Sequence, residues 1–382
     1  MSCDKGNKKG LSHFVKILSW WDKTEKKVQT FVLDIDASEG TSEGCAEAIQ
    51  HSMKKVNKTT ITLPLKGQTT DSGGGGVLES LGNQLKKRDL CSPTYLVASC
   101  TLHAIQIALA NPVKKAMGEG SLGARTMMQM LHSAYDLQES VEYSEFRLVM
   151  EEAKQWVEDK RNNSLPARYD PKIKDFLLNT WNRVNEFALP HGESEELPDK
   201  IQKIPQPVLT RWWYVGVAAA FLKKYFQIVL RATQICININ DSKSRPNKIA
   251  SGLQSMMKED IAYSDMLFLA QFHTDFLTQH FQWLQEEDKI AKNPGFRCWQ
   301  ILVRYYLMRK DLVALKTRIN RNSFGDYGKN LEKLSDEKKE KQKRKSKTFI
   351  EEAMTSLDNH YLRWCNELLP AALGGEVQYA TF

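Results

Sequence analysis

The strongest constraint on the fold is a change of character near residue 140. Before it, runs of β-forming residues alternate with helix-period runs; after it, strand signals nearly vanish. Phe14 to Trp21 and Val28 to Ile35 are apolar and rich in β-formers, and the polar Asp22 to Lys27 separates them, so they read as an antiparallel hairpin. Thr41 and Ser42 then offer an N-cap for a helix to about Val56, with Cys45, Ala46, Ala48, Ile49 and Met53 on its apolar face. A strand near Thr59 to Leu65, a glycine loop, a helix from Val77 to Lys87, a strand from Tyr95 to Ser99 and a helix from Leu102 to about Met117 complete the order β-β-α-β-α-β-α. That alternation specifies an α/β layer architecture.

Beyond residue 140 the amphipathic stretches are long: Ser144 to Asp159, Pro171 to Phe187, Arg211 to Ile235, Lys248 to Gln285, Gly295 to Arg318 and Thr348 to Leu369. The chain therefore divides into an α/β part, 1–140, and an all-α part, 141–382, and is mainly helical overall. Between the last two stretches, Glu337 to Lys347 is low-complexity and basic. Blocks of this kind are usually solvated, so it reads as a polar connection, with nuclear targeting or phosphate contact as the alternatives.

At 382 residues and 41% hydrophobic, the chain can bury one large core or two. No run reaches the roughly 18 apolar residues of a membrane span, and no apolar signal segment follows Met1, so an intracellular location without membrane association is expected. Seven scattered cysteines, never spaced Cys-x-x-Cys, suit reduced thiols and argue against structural zinc. The net charge of +8 permits a polyanionic partner without requiring one.

Gly67 to Gly76, Gly-Gln-Thr-Thr-Asp-Ser-Gly-Gly-Gly-Gly, places Asp71 just past a strand's end. Glycines there let backbone or ligand approach closely, which suits a metal ligand or a phosphate contact; a flexible connection is the simpler reading. A P-loop would need Gly-Lys-[Ser/Thr] after the glycines, whereas Val77, Leu78 and Glu79 follow, which argues against a nucleotide kinase or ATPase site of that type.

The next strand ends in Cys100-Thr-Leu-His103 and runs into a helix. Ligands of open α/β sheets bind outside the carboxyl ends of the strands, so Asp71, Cys100 and His103 could line one site. The rival readings are a buried thiol with a satisfied histidine, or a Cys100 nucleophile with His103 as its base. Thr210-Arg211-Trp212-Trp213 opens an apolar helix. Guanidinium engages phosphate bidentately and indole stacks on an unpaired base, while core packing is the plainer explanation of a tryptophan there.

This ordered set, hairpin, helix, Thr-Thr-Asp loop at Asp71, Cys-x-x-His at Cys100 and His103, and Thr-Arg-Trp at 210–212 before a long helical region, resembles the hAT superfamily of DNA transposases and their domesticated relatives. The resemblance covers residues 1 to about 365 and implies an RNase H-like mixed sheet with a large all-α insertion. It further implies metal-dependent DNA cleavage and strand transfer with Mg²⁺ or Mn²⁺ held by three acidic residues. DNA would be the partner, the nucleus the location, and self-association is allowed.

Carried onto this sequence, Asp71 matches the second acidic position, Asp71 and His103 are catalytic residues, and Arg211 and Trp212 contact DNA. The first aspartate belongs on a strand preceding the hairpin. Only Met1 to Asp4 remains for it before the polar Lys5 to Lys9, so that strand is expected to be almost wholly missing and the sheet incomplete. Asp4 is the nearest carboxylate and stands in as catalytic residue and metal ligand, although the resemblance sets the residue a few positions earlier. Asp34 and Asp36 are expected to flank the site or face solvent. Glu351, Glu352, Glu367 and Glu376 are candidates for the third acid, and no motif selects one. Because an N-terminal zinc module and a C-terminal dimerisation segment are also unrecognisable, the chain reads as a truncated or domesticated member with impaired cleavage.

Overall fold

The structure is a computed structural model that describes residues 2–8, 11–22, 24–25, 27–37, 41–56, 65–70, 77–99, 112–113, 115–116, 122–141, 143–161, 200–208, 212–282 and 298–373. It is a mainly helical α/β protein with two compact units. The first comprises Met1–Ala108, Gln279–Lys310 and Met354–Phe382; the second comprises Leu109–Thr278 and Asp311–Ala353. Residues 109–140, which composition groups with the α/β part, belong to the second unit.

The first unit contains a five-stranded mixed sheet of β1 (Ser2–Lys8), β2 (Leu11–Asp22), β3 (Lys27–Ala37), β4 (Leu65–Thr70) and β5 (Cys91–Ser99), ordered β3-β2-β1-β4-β5. β1, β2 and β3 are antiparallel to their neighbours, whereas β4 is parallel to both β1 and β5. The expected hairpin is β2–β3. Its turn is set by Asp22, whose Oδ1 accepts from Thr24 N at 2.9 Å and Glu25 N at 3.0 Å, the local bond that makes Asp a turn residue.

The first strand corrects the expectation. Ser2–Lys8 is a full strand, paired from Ser2 with Ile17 to Lys8 with Leu11. Its sequence, Ser-Cys-Asp-Lys-Gly-Asn-Lys, is polar and lacks a β pattern, so it becomes a strand through ladders to β2 and β4 rather than through propensity. β4 is also displaced: Leu65–Thr70 is strand, so Gly67 to Thr70 belong to the sheet and not to the glycine loop. The expected strand residues 59–64 lie outside the described residues.

One face of the sheet is covered by α1 (Ser42–Val56) and α2 (Val77–Lys87). Thr41 Oγ1 accepts from Gly44 N at 3.0 Å, so the cap forms where the sequence places it. Cys45, Ala46, Ile49 and Met53 are buried against Phe14, Leu65, Leu81 and Leu85, with Leu33 and Leu90 at the margin. Burying a side chain of Ile49's size stabilises the fold by about 1.5–3 kcal/mol.

The second unit is built around α5 (Trp212–Ile239), 28 residues long, which packs on α4 (Tyr143–Arg161), α6 (Arg245–Met257) and α7 (Asp260–Phe272), while α3 (Leu122–Ser140) packs on α6 and α7. The helix α3 has no counterpart in the sequence reading. The single helix expected over Lys248 to Gln285 is divided at Lys258 and Glu259 into α6 and α7, and α7 continues into a π turn, His273–Leu277. The expected helix Pro171 to Phe187 falls outside the described residues, as do residues 102–111 of the one expected from Leu102.

Among the described residues three further helices follow: α8 (Cys298–Asn320), α9 (Gly325–Lys333) and α10 (Asp336–Leu373). The basic block Glu337 to Lys347, expected as a polar connection, is helical throughout. Its inward stripe is polar, which hides it from hydrophobic periodicity: Gln342 and Ser346 are each 1% exposed. Just beyond it Phe349 joins Phe268, Phe272, Phe324 and Tyr327 in an aromatic cluster, with Phe268 edge-on to Tyr327 at 5.3 Å and to Phe349 at 5.1 Å.

Candidate functional site

The register of β1 against β4 organises the candidate site. Ser2 lies beside Thr69 and Cys3 beside Thr70, in parallel. In the sequence Asp4 follows Cys3 and Asp71 follows Thr70, the last pair of the β1–β4 ladder. Asp4 is itself inside β1, opposite Val15 of β2. Asp71, Cys100, His103 and Arg211 lie outside the described residues. Trp212 is the first residue of α5, so the helix opens where Thr-Arg-Trp places it.

Asp34 is held in a structural role. It sits opposite Lys16 in the β2–β3 ladder, next to an irregularity in register between Lys16 and Ile17. Its Oδ2 accepts from Lys55 Nζ and from Ser52 Oγ, each at 3.1 Å, and its Oδ1 accepts from Ile35 N at 2.9 Å. The Lys55 ammonium, first among these partners, holds the carboxyl below its ordinary value despite the opposing cost of desolvation. The result ties β3 to α1. Lys16 is fully buried and donates to Ala48 O at 3.4 Å, which adds a second tie between sheet and helix.

Of the candidates for a third acid, Glu351 pairs with Lys316 at 2.5 Å and Glu352 with Lys115 at 2.7 Å. Both belong to the second unit, whereas the sheet belongs to the first. Glu367 is a residue of α10 within the first unit, and Glu376 lies outside the described residues. Among the described residues no group of three His, Cys, Asp or Glu side chains could hold a metal ion. The Asp4–Asp71 pair fits Mg²⁺ or Mn²⁺ in kind, since both ions take hard carboxylate oxygens.

The second unit contains a buried polar cluster that sequence reasoning did not find. Asp265 of α7, 1% exposed, pairs with Lys345 of α10. Burial pushes the Asp265 carboxyl up, against the pull of Lys345 and Gln342. Gln342 Nε2 donates to Ile261 O at 3.2 Å, and Tyr327 OH donates to Gln342 O at 3.2 Å while lying 2.5 Å from Ser346 Oγ. Asn330 Nδ2 donates to Ser264 Oγ at 2.6 Å. Each partner is satisfied within the cluster, which therefore reads as a polar seam between helices.

His273, at the start of the π turn, is 8% exposed and lies against Gly216 of α5. Burial drives its imidazole down to about 4, so it is neutral near pH 7. A Cβ at Gly216 would come within 2.4 Å of His273 Cδ2, so the close approach of α5 to the π turn requires glycine there.

No described helix is long and apolar enough to cross a membrane. Compared with known proteins, the chain matches no family model and no curated protein.

Proposed function

We propose that the chain is an RNase H-like protein of the hAT transposase type, acting on DNA in the nucleus, with Asp4 and Asp71 as ligands of Mg²⁺ or Mn²⁺. The observation that carries this reading is the sheet: order β3-β2-β1-β4-β5, an antiparallel meander over β1 to β3, and β4 and β5 parallel to β1. The β1–β4 register places Ser2 beside Thr69 and Cys3 beside Thr70, and in the sequence Asp4 and Asp71 are the residues that follow. Were the two carboxylates to meet, they would repel each other, and a divalent cation between them would relieve the repulsion.

Impaired cleavage was expected because the first acidic ligand and further modules of the family were not recognised; the strand Ser2–Lys8 supplies a position for Asp4, and cleavage by this chain is the point the test below decides. When bound, the metal lowers the pKa of a water and stabilises the leaving oxygen. The chain's own contribution is to present Asp4 and Asp71 as anionic ligands. Glu351 and Glu352 are engaged by Lys316 and Lys115, which leaves Glu367 and Glu376 as candidates for the third acid. Arg211 and Trp212 engage phosphate and base on the DNA.

The test is Mn²⁺ titration, followed by paramagnetic resonance, together with cleavage of duplex DNA in Mn²⁺. Asp4→Ala and Asp71→Ala should each abolish Mn²⁺ binding and cleavage, while salt-dependent DNA binding persists and Arg211→Ala weakens it. Unchanged Mn²⁺ binding by Asp71→Ala would remove the metal site. DNA binding without cleavage by the unaltered chain would leave a nucleic-acid-binding factor.

A further inference from the structure

In the second unit, residues 200–208, Lys-Ile-Gln-Lys-Ile-Pro-Gln-Pro-Val, form neither helix nor strand. Pro205 and Pro207 remove two backbone donors and fix φ, so the segment makes no ladder of its own and its other polar groups need partners from elsewhere. Two helices of the same unit supply them. Gln138 of α3, 2% exposed, accepts from Ile204 N through Oε1 at 2.8 Å, a buried bond between residues 66 apart. Tyr225 of α5, also buried and stacked on Phe221, donates its hydroxyl to Lys200 O at 3.2 Å. Ile204 and Pro207 are buried and Ile201 is half-buried, the three-residue spacing of a polyproline II segment, while Lys203 reaches Glu139 at the surface.

Chain lengths fix where this strap runs. Tyr225 lies thirteen residues, about 20 Å, along α5 from Trp212. The extended chain from Lys200 to Val208 covers about 25 Å. Four Cα steps, at most about 14 Å, separate Val208 from Trp212, so the strap starts beside Tyr225 and must return along α5 towards its first turn. A contact residue whose chain is anchored beforehand loses less freedom on binding and keeps more of its interaction energy. We propose that Gln138 is a positioning residue: by pinning Ile204 it holds the strap along α5 and so fixes how the first turn of α5, which begins at Trp212, is presented to DNA. The inference rests on the reading of Trp212 as a DNA contact, and Gln138 acts on that contact only through the strap.

Gln138→Met keeps the side-chain size and removes the acceptor, and Tyr225→Phe removes the second tie. In each variant of the full chain, trypsin should cut after Lys200 and Lys203 about fivefold faster than in the unaltered chain, with an unchanged circular dichroism spectrum, because the opening is local. Affinity for labelled single-stranded DNA supplies the readout that a merely structural role would not move. Gln138→Met should weaken binding about fivefold in the otherwise unaltered chain and less than about twofold in Trp212→Ala, since a loosened strap costs little once the indole is gone. Tyr225→Phe should follow the same pattern. Unchanged cleavage in both variants, no loss of affinity in the otherwise unaltered chain, or the same fold-loss in both backgrounds would each overturn the inference while leaving the DNA contact in place. DNA affinity that Trp212→Ala does not change would remove the contact itself, and the inference with it, whatever the cleavage rates.

Discussion

Lys345, in the most basic stretch of the chain, pairs with Asp265, a carboxylate that is 1% exposed and 80 residues away in sequence. The pair fastens α10 to α7, beside the contacts of Gln342 with Ile261 and of Tyr327 with Gln342. A helix whose inward stripe holds Gln342, Lys345 and Ser346 gains little from apolar transfer there, so the satisfied polar contacts hold it in place.

Removing the lysine alone leaves a buried carboxylate without its counter-charge. Lys345→Ala should therefore lower stability by about 3–5 kcal/mol. The double variant Asp265→Leu with Lys345→Met should recover most of that loss, because both charges then leave the interior together. Urea unfolding of the unaltered chain, Asp265→Leu, Lys345→Met and the double variant completes the cycle, and a loss in the double variant equal to the sum of the two single losses would show that the charges are not coupled.

His273 makes stability depend on pH in a defined window. The folded imidazole titrates near 4 and the unfolded one near 6.5, so below about 6.5 the unfolded state takes up a proton that the folded state does not. Stability attributable to this residue is present above the unfolded value and is lost as pH falls towards 4, to a full extent of about 3 kcal/mol. His273→Gln should flatten the pH dependence of urea midpoints between pH 7 and 4.5. Gly216→Ala, which drives a methyl into the same ring, should cost about 1–3 kcal/mol at pH 7.

Asp34 separates fold from site among the acidic residues of the N-terminal strands. Asp34→Asn should weaken the tie between β3 and α1, seen as faster amide exchange in α1, and leave Mn²⁺ affinity as in the unaltered chain. A loss of Mn²⁺ binding as large as that of Asp71→Ala would move Asp34 into the metal site.

Cys236 is fully buried on α5, and burial raises its thiol to about 11. The thiolate is the reactive form, so Cys236 should be the slowest of the seven cysteines to react with iodoacetamide at pH 8 and become reactive only on unfolding. Peptide mass mapping after timed alkylation reads this directly.

Several elements were legible in the sequence because their signals are local. The apolar face Cys45, Ala46, Ile49 and Met53 repeats at helical spacing behind a Thr41 cap, and the β2–β3 hairpin is framed by two apolar runs around an Asp22 turn. The opening of α5 at Trp212 and the bounds of α2 at Val77 and Lys87 were equally direct. The candidate site was legible only as residue types: Asp4 and Asp71 could be named, but not the full strand that carries Asp4, because Ser2–Lys8 has no β pattern and Lys5 to Lys9 reads as a polar turn.

By itself the sequence determined the alternating N-terminal elements, the helical remainder and the residues able to carry chemistry, since periodicity, caps and turn residues act within one or two turns of chain. Only the tertiary structure decided that Ser2–Lys8 is a strand, that Cys3 lies beside Thr70, and that Asp336 to Lys347 is helix. In each case the deciding partner is distant in sequence: a polar strand exists because two neighbours satisfy its backbone, and a basic helix packs because Lys345 finds a buried Asp265.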